Sequence, residues 1–186
     1  MTRIHDTYAY SINYAKIKYS DTADGPGFRI ALYVSGCTRH CHGCHNVSAW
    51  DFNSGFKLTT KEISNIIYNL EEKYYSGFSI LGGEPLEKRN REDVFKIIEK
   101  VHEKRPKKTI WLWTSYTWEE IIEQEIIPEN ILNMINVIVD GPYVERERNL
   151  KLKFRGSNNQ RLIDVKESLT QKKAILWEDN ENNMYS

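Results

Sequence analysis

The sequence predicts an α/β fold built on a mostly parallel sheet covered by helices. Segments with the two-residue apolar period of strands alternate with segments spaced as amphipathic helices. Glycine-, proline- or cysteine-bearing turns follow the strands, and in parallel α/β folds the carboxyl ends of the strands share one edge. The 186 residues suffice for one domain with a real core, and no repeat or linker divides them.

Residues 1–13 are polar and read as a loose lead-in, and weak alternation from Ala15 to Tyr19 predicts a short edge strand. Asp21 to Gly27 is a turn by its glycine and proline content. Phe28, Ile30, Leu32 and Val34 alternate with Arg29, Ala31 and Tyr33, which predicts a strand ending just before the cysteines. After an irregular stretch, Thr59 and Glu62 form a capping box. Ile63, Ile66, Ile67 and Leu70 follow at helical spacing, and Gly77 is read as the end of that segment. A short strand, Phe78–Leu81, runs into Gly82-Gly83-Glu84-Pro85, and a helix carrying Val94, Ile97, Ile98 and Val101 stops before Pro106. Thr109–Trp113 is a strand, Thr117 and Glu120 cap a helix that Pro128 interrupts, and Val137–Val139 is a further strand. A last strand is expected over Arg161–Val165, then a tail, 166–186, that is polar apart from Ala174 to Trp177 and is expected to fray.

The chemistry concentrates in Cys37-Thr38-Arg39-His40-Cys41-His42-Gly43-Cys44, which holds all three cysteines at the spacing C-x3-C-x2-C. Three thiolates on one loop can hold a soft metal site but cannot complete a four-ligand one. One metal position is left open, and an open position is where a substrate binds. A Cys3His zinc site using His40, His42 or His45 competes with this reading. So do a disulfide with one leftover thiol and three unrelated buried cysteines.

Gly82 and Gly83 remove two side chains at a strand end, so backbone can approach a ligand closely. Glu84 beside them offers an acceptor for an ammonium group, and Pro85 stiffens the turn. Thr114, Ser115 and Tyr116 carry hydroxyls suited to a ribose or an adenine edge, and Asp140 can take a ribose hydroxyl or a cation. The polar stretch from Arg155 to Arg161 reads as a loop near a ligand or partner surface, whereas His5 and His102 read as ordinary surface residues. Lys+Arg and Asp+Glu are both 26, so composition gives no case for nucleic acid or an anionic membrane surface. No apolar h-region opens the chain and no run approaches a membrane span, so a reducing, cytoplasmic setting is expected.

With these residues in hand, the chain resembles the radical S-adenosylmethionine superfamily over about residues 13–165, the span expected to form its domain within residues 1–165. More closely it is similar to the activating proteins of anaerobic (class III) ribonucleoside-triphosphate reductase. Asp24-Gly25-Pro26-Gly27, the cysteine loop, Gly82 to Pro85, Trp113 to Tyr116, Val139 to Pro142, and Phe154 to Ser157 with Gln160-Arg161 stand in the family's order. The resemblance implies a partial, open (β/α)6-like barrel. It implies that Cys37, Cys41 and Cys44 ligate three irons of a [4Fe-4S] cluster whose fourth iron is chelated by S-adenosylmethionine. Glu84 and the Gly82-Gly83 backbone would hold the amino group, and Gly43 and His45 would lie against the cofactor. Partners implied are the glycine-bearing large subunit of the reductase and a flavodoxin-like electron donor. Gly43, where much of the superfamily has an aromatic residue, and His45, where a tyrosine is expected, depart from the pattern. An activase of the pyruvate formate-lyase type, a cluster-bearing electron carrier and a Cys3His zinc module compete with this assignment.

Overall fold

The computed structural model describes residues 10–179. His5, the first part of the lead-in and the end of the tail lie outside the described residues. In chain order the elements are β1 (Asn13–Asp21), β2 (Phe28–Val34), β3 (Phe56–Lys57), α1 (Thr60–Asn69), β4 (Tyr75–Gly82), α2 (Arg91–Lys104), β5 (Thr109–Trp113), α3 (Trp118–Glu123), α4 (Glu129–Leu132), β6 (Val137–Asp140), β7 (Arg161–Asp164) and α5 (Val165–Gln171). The seven strands form one sheet in the order β3-β1-β2-β4-β5-β6-β7. Neighbours among β2, β4, β5 and β6 run parallel, while β1, β3 and β7 join antiparallel at the two edges. The sheet does not close, which gives an open, partial barrel of the (β/α)6 type.

The period-two pattern of β2 sorts its side chains onto two faces. Ile30, Leu32 and Val34 join Phe78, Ile80, Ile110, Leu112 and Ile138 under Ile63 and Ile66 of α1 and Val94, Ile97, Ile98 and Val101 of α2. The other face carries Ala31, Tyr33 and Leu81, and beside them Trp111, Val139, Leu162, Phe154 and Trp177. Both faces are buried along β2, including Arg29, so the alternation separates two packed faces and not a wet one from a dry one. The Arg29 guanidinium donates to Ser79 Oγ at 2.7 Å, to the carbonyls of Phe78 at 2.8 Å and Thr109 at 3.0 Å, and to Thr109 Oγ1 at 2.8 Å. Burial pulls its pKa down to about 9, against the pull of Asp21 and Asp24.

Several segments differ from expectation. Tyr10 and Ile12 of the lead-in are buried, because Asp93 receives the N–H and hydroxyl of Ser11 and ties the segment to α2. β1 is nine residues long and not short, and β3 pairs only with its Asn13 and Tyr14, which leaves Ala15–Tyr19 at the edge as expected. Gly77 lies inside β4: α1 has already ended at Asn69, and a Cβ at Gly77 would sit 2.1 Å from the Thr109 carbonyl oxygen and 2.8 Å from Arg29 Nη1. The glycine is there for close strand approach. Beyond Asp164 the chain turns helical, then Ile175 and Trp177 return to β7 through Asp164 N–H to Ile175 O at 2.9 Å and Trp177 N–H to Leu162 O at 2.8 Å. Among the described residues no helix is long and apolar enough to cross a membrane.

Candidate functional site

A cleft of about 370 Å³ opens at the carboxyl ends of the parallel strands. Its walls include Cys37, Cys41, Cys44, His45, Gly82, Gly83, Glu84 and Thr114, so residues from three distant sequence stretches meet there. Gly43, Pro85, Tyr116 and Asp140 are not among the lining residues.

The cysteine loop is pinned before it begins to curve. Gly36 N–H donates to Ala49 O at 2.8 Å and Cys37 N–H to Trp50 O at 3.0 Å, while His40 stacks on Trp50 with ring centres 4.4 Å apart. Cys44 N–H closes a turn onto Cys41 O at 3.1 Å, and Asn46 N–H points at Cys44 Sγ at 3.4 Å. Burial pushes the Cys37 thiol up, and the backbone N–H groups of Arg39 and His40 work against that. Backbone donors aimed at sulfur favour a thiolate, the form that binds metal. Among the described residues no three His, Cys, Asp or Glu side chains converge as ligands of one ion would. Three thiols line one cleft, with N–H groups directed at two of them, and thiolates are the donor type that iron–sulfur clusters take.

Gly82 and Gly83 have a structural duty first. A Cβ on Gly82 (φ +121°) would lie 2.5 Å from Val34 N, and one on Gly83 would lie 2.5 Å from Gly36 O. Their bareness lets the end of β4 lie against the end of β2, where Gly83 N–H bonds Val34 O and Glu84 N–H bonds Gly36 O, both at 2.8 Å. Asn90, which the sequence did not single out, locks this junction from below. Its buried amide donates to Ser35 O at 3.0 Å, Gly36 O at 3.3 Å and Glu84 O at 3.0 Å.

Glu84 is buried, and four donors of its own chain reach its carboxylate. One oxygen accepts from Leu86 N–H at 3.0 Å and Thr114 Oγ1 at 2.7 Å, the other from Ser115 N–H at 2.7 Å and Ser115 Oγ at 2.5 Å. Burial pushes the carboxyl up, while these donors pull it down. Glu84 therefore fastens the turn after β5 to the turn after β4 while edging the cleft. Tyr116 lies under the Arg39 guanidinium, 4.5 Å from its ring centre. Asp140 accepts from Trp118 N–H at 2.8 Å and pairs with Arg161 at 2.5 Å, which places it behind the cleft as a tie between β6, α3 and β7.

The cleft also holds residues to which the sequence assigned no role there. Asp24 and Tyr33 face it, bonded through the Tyr33 hydroxyl, and burial pushes both groups up. Trp50, Leu81, Trp113 and Phe154 give it an apolar wall, and Tyr143, Arg155 and Gln160 close the far side. The polarity of the Arg155 to Arg161 stretch and the motif of Phe154 to Ser157 with Gln160-Arg161 were the sequence signals for that side. Gly43 meets a neighbour from the same side: Glu145, hydrogen-bonded by Tyr143 at 2.6 Å, occupies the place where a Cβ would go.

Residues 23–163 match the family model of a 4Fe-4S single cluster domain. The chain is 39% identical over 153 residues to the anaerobic ribonucleoside-triphosphate reductase-activating protein of Enterobacteria phage T4, covering 81% of this chain and 93% of that protein. It is 38% identical over 142 residues to the protein of the same description from Salmonella typhi, covering 75% and 90%. For that of Escherichia coli K12 it is 36% over 151 residues, covering 80% and 96%.

Proposed function

Because the chain belongs to the family of anaerobic ribonucleoside-triphosphate reductase-activating proteins, radical S-adenosylmethionine enzymes, we propose that it installs the glycyl radical of such a reductase. A [4Fe-4S] cluster and S-adenosylmethionine, when bound, supply reductive cleavage of the sulfonium and removal of a glycine α-hydrogen, leaving methionine, 5′-deoxyadenosine and the stored radical.

Cys37, Cys41 and Cys44 hold three irons in this reading. The Gly82-Gly83 backbone and Glu84 face the amino group of S-adenosylmethionine, with Glu84 already oriented by Thr114 and Ser115. Gly43 and His45 flank the cofactor on the loop itself. Pro85, Tyr116 and Asp140 act by holding the turns that carry these groups. Leu81, Trp113 and Phe154 keep the reacting end dry, which protects a radical from solvent. The substrate is the glycine-bearing large subunit, the electron comes from flavodoxin or a similar one-electron donor, and a reducing cytoplasm preserves the thiolates.

The observation that carries this reading is the meeting of three thiols and the Gly82–Glu84 turn in one cleft at the carboxyl edge of the sheet. Anaerobically reconstituted protein, given dithionite, S-adenosylmethionine and the reductase, is expected to release 5′-deoxyadenosine and methionine and to produce a glycyl-radical resonance. Cys41→Ala is expected to lose the cluster absorbance and both products together. Product formation at the wild-type rate in that variant sinks the mechanism.

A further inference from the structure

A hairpin stands at the rim of the cleft. It begins with the short turn Glu145–Glu147, where Glu145 fills the place of a Gly43 Cβ, so its base lies against the cysteine loop. Asn149 N–H donates to Gly156 O at 3.1 Å and Asn158 N–H to Glu147 O at 2.9 Å, and these bonds join its two arms. Leu152 N–H to Asn149 O at 3.3 Å and Lys151 N–H to Asn149 Oδ1 at 3.0 Å close the tip, which puts Leu150 and Lys151 at the corner of the turn. On the returning arm Leu152 and Phe154 line the cleft. Trp113 Nε1 holds the Phe154 carbonyl at 2.9 Å, and Lys153 pairs with Asp179 at 2.9 Å, so the projection is anchored from outside itself.

The hairpin carries charge that the fold does not use. Residues 145–155 hold five basic and two acidic side chains, in a chain whose net charge is zero. Arg146, Arg148 and Lys151 are exposed and form no ion pair among the described residues. Between them Leu150 is 85% exposed, at a corner where turns favour glycine, asparagine, aspartate or proline. A single exposed leucine is ordinary on a protein surface, and this one draws its meaning from its place. Val47, beside the cleft-lining Asn46, is a second exposed apolar side chain on the rim, whereas Phe28 and Tyr74 stand at the starts of β2 and β4, the opposite end of the sheet.

We propose that the Leu150 hairpin is a docking element for the large subunit of the reductase, an inference that rests on the functional reading given above. In that reading the substrate is a glycine within a macromolecule, and such a glycine enters a cleft only when the surface around it settles on the rim. The hairpin projects from that rim and is ordered before contact, so docking on it loses little conformational freedom. Leu150 enters an apolar pocket of the partner, and Arg146, Arg148 and Lys151 face carboxylates around that pocket. Exposed charges of this kind speed encounter and are screened by salt, so the contact is salt-sensitive.

The test is binding to the large subunit, measured anaerobically by biolayer interferometry at low and high ionic strength. Cluster-loaded wild type is compared with Leu150→Asp and with a triple variant, Arg146→Ser, Arg148→Ser and Lys151→Ser, and thermal midpoints check folding. Leu150→Asp, which sets a charge against an apolar pocket, is expected to weaken binding by about 10-fold or more at both ionic strengths. The triple variant is expected to lose about 10-fold at low ionic strength and most of the salt dependence. Both are expected to keep the wild-type midpoint and the wild-type yield of 5′-deoxyadenosine with dithionite alone. Their glycyl-radical yield falls at limiting reductase and recovers in excess. Wild-type affinity in both variants overturns the proposal. Unchanged affinity for the reductase with slower cluster reduction by flavodoxin gives the hairpin to the electron donor and also overturns it. Wild-type protein that binds no reductase removes the functional reading itself, an outcome distinct from a failure confined to the variants.

Discussion

At Glu84 both carboxylate oxygens accept a backbone N–H, from Leu86 on one side and Ser115 on the other. Glutamine cannot reproduce this, because either orientation sets its NH2 against a backbone donor. Glu84→Gln is expected to cost about 1–3 kcal/mol, read as a lower urea midpoint. An unchanged midpoint shows that the turn does not depend on the carboxylate. Asp93 gives a pH dependence. Burial pushes its carboxyl up, but donors from Ser11 and Lys96 outweigh that and hold it below the ordinary range. A lowered folded-state pKa contributes stability that is whole above the unfolded value near ~3.9 and is lost as pH falls through the folded one. Thermal midpoints taken from pH 6 downward are expected to drop more steeply below about pH 4 in the wild type than in Asp93→Asn. The cysteines could be found from sequence because ligand spacing on one loop is local. Asn90 and the pairing of Tyr33 with Asp24 could not, since each acquires its meaning from a neighbour on another element.

Among the elements, both capping boxes are present as expected: Thr59 with Glu62 and Thr117 with Glu120 exchange backbone and side-chain bonds. The reciprocal contacts span three residues, so sequence suffices. Thr117→Ala is expected to cost about 1 kcal/mol in the denaturation midpoint. Gly77 shows the opposite situation. As a residue type it reads equally well as a helix stop, and only the parallel pairing of Gly77 with Thr109 reveals a packed strand position. Gly77→Ala forces a Cβ onto the Thr109 carbonyl and is expected to cost about 1–3 kcal/mol by urea unfolding. A neutral result means the two strands can separate without penalty.

For the molecule as a whole, the stretch from Val165 to Asp179 belongs to the folded body. Trp177 meets Trp111 edge-on with ring centres 4.9 Å apart and lies 6.4 Å from Phe154, whose loop carries Arg155. Lys153 pairs with Asp179 at 2.9 Å across the same junction. Trp177 and Asp179 thus brace the loop of Phe154, one wall of the cleft. Trp177→Ala is expected to destabilise the protein by about 2 kcal/mol, from the lost apolar burial of a half-covered indole. A midpoint equal to wild type means the indole adds nothing to the fold.

By itself the sequence determined the alternation of strands and helices, the helix starts, the three-thiol loop and the turn chemistry at strand ends, because all of these depend on neighbours within a few residues. Only the tertiary structure decided which of those turns share a cleft, that both faces of β2 are buried, that Glu84 serves its own chain as well as the cleft, and that the Leu150 hairpin stands at its rim. These depend on contacts between residues tens of positions apart, and no local periodicity encodes which strand lies next to which.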